Sequence, residues 1–300
     1  MTISGVGTPR PTAGMSAPGS SASAAAPAAR IGLRDVAVSF PHGPDRIEAL
    51  DGIDLEIAGG SVVALIGPNG CGKSTVLRVI AGLLAPDRGT VELDDDPVTG
   101  PDPRVGLVFQ EPRLLPWRSV ADNVTYPMEL AGWPSARRDR RRRELLHAVG
   151  LESAAAARPS QLSGGMRQRA SIARALALEP RVLLMDEPFS ALDALTRERF
   201  NVEMQKLHAR TGTTIVLVTH SIAEAIFLGD RVVVLTPRPG RVAADLRIDL
   251  LRPRAWEAMD EAVVSTTAKA IRTYLGPADD TLPDDLTPPD RRDHDLWVGE

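Results

Sequence analysis

The sequence has few cysteines, few aromatic residues and no long apolar run. Its one cysteine, Cys71, excludes an intramolecular disulfide and indicates a reducing compartment. No apolar run reaches the roughly 18 residues that a bilayer-crossing helix needs, which excludes a membrane-spanning permease. The net charge is only −4, so a general nucleic-acid binder is not expected. Hydrophobic residues at 43 % and charged residues at 25 % are typical of a soluble globular chain.

Composition divides the chain into a body and two tails. Residues 1–30 are almost entirely Ala, Ser, Pro, Gly and Thr, which predicts a disordered tail because so few apolar groups cannot offset the entropy of ordering. The same residues lack the continuous apolar segment of a secretory signal. Residues 276–300 are acidic and proline-rich and predict a second tail. Between the tails we expect one α/β domain at 31–250 and a helical extension at 251–275.

The body alternates short apolar runs with helical stretches. The runs that are typical of buried parallel strands are Val62–Ile66, Val105–Phe109, Val182–Met185, Ile215–Thr219 and Arg231–Leu235. Helical patterns separate most of them, which predicts βαβ units around a mostly parallel sheet. The segments before and just after the first run alternate apolar and polar residues, which predicts a half-exposed antiparallel sheet.

A phosphate-binding motif follows Val62–Ile66. The pattern G-x-x-x-x-G-K-[ST] occupies Gly67, Pro68, Asn69, Gly70, Cys71, Gly72, Lys73, Ser74 and Thr75. The backbone N–H groups of such a loop and the N-terminus of the next helix bind phosphate. Lys73 is predicted to reach the β- and γ-phosphates, and the Ser74 hydroxyl to ligate Mg²⁺. The strand–loop–helix setting disfavours the alternative, a glycine-rich turn without a ligand.

Two carboxylates end a later buried run. Asp186 and Glu187 follow Val182–Met185 directly. Since adjacent parallel strands end at the same edge of a sheet, we expect Asp186 beside Ser74, where it would hold Mg²⁺ through water. Glu187 points differently and is predicted to deprotonate an attacking water. The alternative is a pair of carboxylates at a strand boundary without a catalytic role.

The segment Leu162–Met166 reads LSGGM and opens a helix. Here the sequence resembles the ATP-binding cassette (ABC) ATPases over roughly residues 31–250, with Met166 in place of the usual Gln. The resemblance implies an α/β P-loop NTPase fold with a mostly parallel sheet, an antiparallel β subdomain and an α-helical subdomain at about 112–178. It also implies ATP hydrolysis with Mg²⁺ in a homodimer, in which these residues cap the ATP of the partner subunit: Ser163, Gly164 and Gly165. The alternative for Ser163 is an ordinary helix cap.

Four further landmarks match the same family. Gln110 matches the glutamine that contacts Mg²⁺ and the attacking water, and Ser190–Asp193 matches a loop that crosses the dimer interface. His220 matches the switch histidine, whose neutral imidazole can donate to the γ-phosphate and orient Glu187. Phe40 matches the aromatic residue that stacks on adenine. The alternative for His220 and Phe40 is a purely structural role.

Two segments narrow the resemblance to the ATPases of nitrate, sulfonate and taurine importers: Gln110–Val124 and Pro237–Arg241. This group implies a bacterial importer for a small anion, with the chain peripheral on the cytoplasmic face of the plasma (inner) membrane. Expected partners are two integral-membrane permease subunits and, indirectly, a substrate-binding protein. The apolar segment Leu114–Trp117 suits a groove for a permease helix; its alternative is ordinary loop packing.

Other functions stay open at this point. The same ATPase could serve another cargo, such as a vitamin precursor, a metal or a lipid. A non-transport ABC ATPase acting on nucleic acid is less favoured, because the chain shows no second cassette, coiled-coil insertion or zinc module. A regulator that binds ATP without turnover is disfavoured by Lys73, Asp186, Glu187 and His220. The run Arg137–Arg143 predicts a solvated helix face, with contact to anionic lipid or RNA as alternatives.

Overall fold

The structure, a computed structural model, describes residues 28–42, 45–256 and 261–275. The two predicted tails lie outside the described residues, except for positions 28–30. Ala29 in that short segment is fully buried, and its carbonyl oxygen accepts a hydrogen bond from the Thr214 hydroxyl at 2.6 Å. The packed body therefore begins before residue 31.

The described residues form ten strands and seven α-helices. The strands are β1 (Ile31–His42), β2 (Asp45–Ile57), β3 (Val62–Ile66), β4 (Arg88–Leu93), β5 (Asp96–Pro97), β6 (Val105–Val108), β7 (Val182–Asp186), β8 (Thr214–Val218), β9 (Arg231–Leu235) and β10 (Val242–Arg247). The helices are α1 (Lys73–Ile80), α2 (Val120–Leu130), α3 (Ser135–Ala148), α4 (Gly164–Ala175), α5 (Ala194–Thr211), α6 (Ile222–Leu228) and α7 (Glu261–Leu275).

Four strands form an antiparallel sheet in the order β2-β1-β4-β5. The buried side chains of β2, such as Ile53 and Leu55, alternate with exposed ones such as Asp54 and Glu56, as expected for a sheet with one covered face. Phe40 lies near the end of β1, and its register partner across the sheet is Ile47 of β2.

The other six strands form a second sheet in the order β10-β9-β3-β8-β7-β6. Its strands run parallel apart from β10, which is antiparallel to β9. Every residue of β3, β7 and β8 is buried, as expected for strands covered on both faces. The expectation that β3 and β7 are neighbours is wrong, because β8 lies between them and pairs with both. Their carboxyl ends still meet at one edge, since all three strands run the same way.

Three helices, α2, α3 and α4, pack against one another between β6 and β7 in the chain. Their shared core includes Val124, Met128, Leu146 and Ala170. All three helices fall within residues 112–178. This helical unit carries the LSGGM segment, whereas the glycine-rich loop between β3 and α1 belongs to the six-stranded sheet.

The run Arg137–Arg143 lies on α3, and most of its charges have partners. Arg137 stacks over the Trp133 ring at 3.5 Å from the ring centroid and contacts Glu179 at 3.2 Å. Arg141 donates to a backbone carbonyl at the end of α4 at 2.9 Å. Further ion pairs of the run are Arg138–Glu129, Arg140–Glu144, Arg141–Glu144, Arg141–Glu179 and Arg142–Asp139. This pairing favours the solvated helix face over a lipid or RNA contact.

Helix α7 covers one face of the six-stranded sheet. Val264, Ala268 and Ile271 pack in one cluster with Ile226 of α6 and Val234 of β9. The segment predicted as a helical extension therefore packs onto the body. Within the part of the chain that the structure describes, no helix has the length and apolarity that a bilayer crossing demands.

A buried arginine joins the segment before α7 to the end of α6. Arg254 is 7 % exposed, and its Nη1 donates to the backbone carbonyls of Ile226, Phe227 and Gly229 at 2.6, 3.1 and 2.7 Å. Carbonyls at a helix C-terminus lack partners within the helix, so the guanidinium acts as its cap. Burial lowers the pKa of Arg254 to about 10. The Gln205 side chain fixes the Arg254 backbone through two hydrogen bonds of 2.9 Å.

We expect Arg254→Met to lower the free energy of unfolding by about 2–4 kcal/mol, because several buried carbonyls then lose their donor. Urea unfolding measures this change. The matched control is Arg247→Met: the Arg247 side chain is 84 % exposed, so the change should stay within about 0.5 kcal/mol. Equal effects of the two substitutions would contradict the capping role of Arg254.

Candidate active site

The glycine-rich loop connects the buried strand β3 to α1. The helix begins at Lys73, directly after Gly72, whose φ of 103° lies in the left-handed region. A Cβ at Gly72 would lie 2.5 Å from Leu50 Cδ2 and 2.8 Å from the Ala49 carbonyl oxygen. Both the backbone conformation and the close contact with β2 therefore require glycine here. The loop curves around the start of the helix. Glycine-rich loops at a helix N-terminus bind phosphate through their backbone N–H groups.

Lys73 lies inside this curve. Its side chain is 6 % exposed, and Nζ donates to the carbonyl oxygens of Gly67 and Pro68 at 2.7 and 3.0 Å. These bonds satisfy the buried ammonium and hold the loop around it. An ammonium at a helix N-terminus adds its charge to the positive end of the helix dipole, so an anionic phosphate is favoured at this point.

Ser74 and Asp186 meet at the edge of the six-stranded sheet. Ser74 Oγ donates to Asp186 Oδ1 at 3.0 Å, although the two residues are separated by 112 positions in the chain. Asp186 ends β7 and is 8 % exposed. Burial raises the pKa of Asp186 above its ordinary value, and the Ser74 hydroxyl opposes that shift. A cation bound beside these two oxygens would favour the ionised carboxylate.

Glu187 has a left-handed backbone φ of 44° and contacts other partners than Asp186 does. Its Oε2 accepts a hydrogen bond from Gln110 Nε2 at 3.1 Å and lies 3.6 Å from His220 Nδ1. The nearby imidazole lowers the pKa of Glu187, and the carboxylate in turn raises the pKa of His220. The structure thus brings together three predicted site residues from the ends of β6, β7 and β8. A carboxylate with a lowered pKa is ionised at neutral pH and can accept a proton from water.

A cavity of about 470 Å³ opens onto these groups. The predicted site residues that line it are Phe40, Asn69, Gly70, Gly72, Lys73, Ser74, Thr75, Gln110 and Glu187. Gly67, Pro68, Cys71, Asp186 and His220 are not among its lining residues but adjoin those that are. The cavity also contacts Pro41, Ile47, Ala49 and Arg238, which the sequence analysis did not assign to the site. Apolar walls from β1 and β2 thus face a polar floor, a combination that suits a base joined to phosphates.

Cys71 packs into the floor of the loop. Its side chain is 1 % exposed, and burial raises the pKa of the thiol. The backbone of Gly240 presses against it, since a Cβ at Gly240 would lie 2.1 Å from the Cys71 carbonyl oxygen. A buried, protonated thiol is a poor nucleophile, so Cys71 has the properties of a packing residue.

The residues Ser163–Gly165 are not part of this cavity. Ser163 caps α4, and its Oγ accepts a hydrogen bond from the Met166 N–H at 3.2 Å. A Cβ at Gly165 would lie 2.9 Å from Leu192 Cδ2, so this glycine allows close packing on the loop Ser190–Asp193. Among the described residues of one chain, the LSGG segment therefore lies outside the cavity that the phosphate loop lines.

Helix α4 holds the loop that carries Gln110. Gln168 Nε2 donates to the Phe109 carbonyl oxygen at 3.3 Å, just before Gln110. Arg174 donates to the carbonyls of Pro112 and Arg113 at 3.0 and 2.8 Å, just after it. Gln168 and Arg174 were not predicted from the sequence. Their partners are backbone carbonyls about 60 residues away, and such contacts leave no local sequence pattern.

We expect Glu187→Gln to lower the pKa of His220, because the carboxylate that stabilises the imidazolium is removed. In the unaltered protein the ring stays charged to a higher pH than in the variant. NMR titration of the histidine ring protons measures the difference, with the other histidines as internal controls. An unchanged His220 titration would show that the two side chains are not coupled.

The sequence matches one family profile and several known proteins. The ABC transporter family profile matches residues 50–190. The chain is 47 % identical over 225 residues to an uncharacterized ABC transporter ATP-binding protein of Methanocaldococcus jannaschii, covering 75 % of this chain and 84 % of that protein. It is 43 % identical over 265 residues to the aliphatic sulfonates import ATP-binding protein SsuB 2 of Burkholderia cenocepacia, covering 88 % and 90 %. It is 44 % identical over 220 residues to the taurine import ATP-binding protein TauB of Roseobacter denitrificans, covering 73 % and 82 %.

Solved structures give the same result. A dimeric ATP-binding cassette in a post-hydrolysis state, bound to ADP and Pi, superposes with a TM-score of 0.68 at 34 % identity, covering 74 % of this chain and 100 % of that one. The cbiO1 protein of Clostridium perfringens, part of an ABC transporter complex, superposes with a TM-score of 0.64 at 28 % identity, covering 72 % and 88 %. The fold class predicted from the sequence is confirmed, and the chain belongs to the ATP-binding proteins of ABC transporters.

Proposed function

We propose that this chain is the ATP-hydrolysing subunit of a bacterial ABC importer for a small anion such as an aliphatic sulfonate, taurine or nitrate. One arrangement carries the catalytic part of this proposal: the carboxylate of Glu187 lies between Gln110 and His220 at the mouth of the cavity that Lys73 and Ser74 line. A phosphate loop alone would support nucleotide binding. A polarised carboxylate beside it supports hydrolysis as well.

Each residue has a definite task in this proposal. Lys73 and the loop N–H groups bind the phosphates and stabilise the charge that develops on them. Glu187 is ionised and accepts the proton of the attacking water. Gln110 and His220 hold Glu187 from two sides and orient it. Phe40 supplies an aromatic wall of the cavity, on which the adenine ring is proposed to stack.

The donor set fits Mg²⁺. Ser74 Oγ and Asp186 Oδ1 are 3.0 Å apart, and the amide oxygen of Gln110 is a third hard ligand at the same sheet edge. Among the described residues there is no cluster of three or more His, Cys, Asp or Glu that could hold a metal ion by itself. That suits Mg²⁺, which binds through one or two protein oxygens, water and substrate phosphates. Bound there, the ion would neutralise phosphate charge.

A homodimer is proposed because the two segments that we assign to phosphate binding are separate within one chain. Ser163, Gly164 and Gly165 form a helix N-terminus outside the cavity of their own chain. A head-to-tail homodimer would place this helix end over the ATP of the partner subunit. The solved relative with ADP and Pi is dimeric, which supports this assembly.

Contact with a permease is proposed at the segment Leu114–Trp117. Trp117 is 69 % exposed, whereas Leu114 is partly buried against the core of the helical unit. The segment is rigid because Asn123, which is fully buried, exchanges hydrogen bonds with the Leu115 backbone at 2.7 and 3.1 Å. An exposed aromatic on a fixed loop is a suitable anchor for a partner helix. Two permease subunits would hold the ATPase dimer at the cytoplasmic face of the membrane and link it to an external substrate-binding protein.

The cargo is proposed from the relatives rather than from the site. Proteins named for aliphatic sulfonate and taurine import match this chain over 88 % and 73 % of its length. Growth of a deletion strain on a sulfonate, on taurine or on nitrate as the sole sulfur or nitrogen source tests the assignment. Unimpaired growth on all three would exclude this cargo class and leave the ATPase assignment intact.

Glu187→Gln should bind ATP with normal affinity but hydrolyse it at least about 100-fold more slowly, because the general base is lost. The ATP-bound homodimer should then accumulate, which size-exclusion chromatography with ATP measures. Glu203→Gln is the matched control, since Glu203 is an exposed residue of α5 paired with Lys206. Full turnover by Glu187→Gln would remove Glu187 from the catalytic role.

Trp117→Ala should weaken the response of the ATPase to its permease, because the exposed ring is the largest apolar group of the docking segment. The expected result is a several-fold lower ATPase rate in the assembled complex, with unchanged ATP affinity in the isolated subunit. Tyr274→Ala is the control, as Tyr274 is an exposed aromatic on α7. Identical behaviour of the two variants would contradict permease docking at Trp117.

A further inference from the structure

The turn between β9 and β10 lies directly on the phosphate loop. Gly240 in this turn donates its N–H to the Ala49 carbonyl at 2.9 Å, and its own carbonyl accepts from the Asp51 N–H at 3.1 Å. The turn is thereby fixed to β2, whose residues Ile47 and Ala49 form one wall of the cavity. Close packing of Gly240 on Cys71 brings the same turn against the phosphate loop.

Arg238 projects from this turn into the cavity. Its Nε donates to the Gly70 carbonyl oxygen at 3.1 Å, and its Nη2 lies 3.0 Å from the position that a Cβ of Gly70 would occupy. Arg238 is itself one of the residues that line the cavity. The guanidinium therefore lies against Gly70 of the phosphate loop and borders the same cavity as Ile47 and Phe40.

The charge of Arg238 is not neutralised by a neighbour. Among the described residues, no carboxylate forms an ion pair with it, whereas Arg241 of the same turn pairs with Asp51. The cavity lining holds two cations, Lys73 and Arg238, and one carboxylate, Glu187. A guanidinium that donates one bond to a carbonyl keeps its other N–H groups free to bind an anion.

We propose that Arg238 is a nucleotide-binding residue that contacts the part common to ATP and ADP, through the oxygens of the α- or β-phosphate. This inference rests on the proposed function, because it takes ATP as the ligand. The position follows from the contacts of the turn: it is bonded to β2 through Gly240, next to the wall that Ile47 and Ala49 form. Glu187 instead contacts Gln110 and lies near His220, at the proposed site of hydrolysis. Binding at the shared part stabilises ground state and transition state equally, so it changes KM and leaves kcat unchanged.

The test separates the charge of Arg238 from its hydrogen bond to Gly70. Arg238→Lys keeps the charge, Arg238→Gln keeps a donor without charge, and Arg238→Ala keeps neither. Arg46→Gln is the control, because it removes a cation of β2 that pairs with Asp87 and does not line the cavity. Affinities for MgATP and MgADP are measured by calorimetry, KM and kcat by phosphate release, and folding by urea unfolding.

Loss of one charge-assisted hydrogen bond predicts about tenfold weaker binding of both MgATP and MgADP in the Gln and Ala variants. KM for ATP should rise by a similar factor with kcat unchanged, and the Lys variant and the control should stay near the unaltered protein. If Arg238→Gln binds MgATP and MgADP with normal affinity, Arg238 only stabilises the backbone at Gly70, and the inference is overturned. A fall in kcat at constant KM would overturn it too.

Nucleotide binding and hydrolysis by the unaltered protein distinguish a failure of this inference from a failure of the proposed function. If it binds and hydrolyses MgATP while the Arg238 variants match it, the inference on Arg238 alone is wrong. If the unaltered protein binds no nucleotide, the proposed function is wrong and the inference with it. Should Arg238→Ala not fold, the Lys and Gln variants still decide the outcome.

Discussion

The hydrogen bond from Ser74 to Asp186 is the contact on which the site depends. It joins the helix after β3 to the end of β7 across the intervening strand β8, at 3.0 Å. Three fully buried strands must run parallel and in register for these two side chains to meet. The short apolar runs of the sequence thus determine the site, because burial on both faces fixes the strand ends that carry its polar groups.

The same edge places two neighbouring carboxylates in different environments. Asp186 is buried against Ser74, where desolvation raises its pKa, while Glu187 faces Gln110 and His220, where the imidazole lowers its pKa. Glu187 has a left-handed backbone, which is costly for a residue other than glycine, at the point where the two environments diverge. The cost is offset by a backbone N–H bond from Glu187 to the Val218 carbonyl at 3.0 Å, which ties the turn to β8.

Local patterns in the sequence predict those parts of the structure that depend on local chemistry. The buried strands, the glycine-rich loop and the polar residues at strand ends could be predicted, because periodicity and turn residues encode them. The order of the strands could not, since it depends on which apolar faces pack together. Arg174, Arg238 and Arg254 were also missed, because each acts on backbone carbonyls of distant residues, and a carbonyl leaves no trace in the amino-acid sequence. Arginines that line cavities or end helices are therefore best found from the fold.

Backbone contacts of α4 provide a route by which the proposed permease would act on the site. Gln168 and Arg174 of α4 donate hydrogen bonds to backbone carbonyls on both sides of Gln110. The loop that carries Gln110 continues into the exposed segment around Trp117. Displacement of the helical unit must therefore carry Gln110 with it, and Gln110 is bonded to Glu187. A shift of a fraction of an ångström is enough to break a hydrogen bond of 3.1 Å, since such bonds weaken steeply with distance. Under the proposed permease docking, displacement of the segment around Trp117 would reach Glu187, the proposed general base, through Gln110.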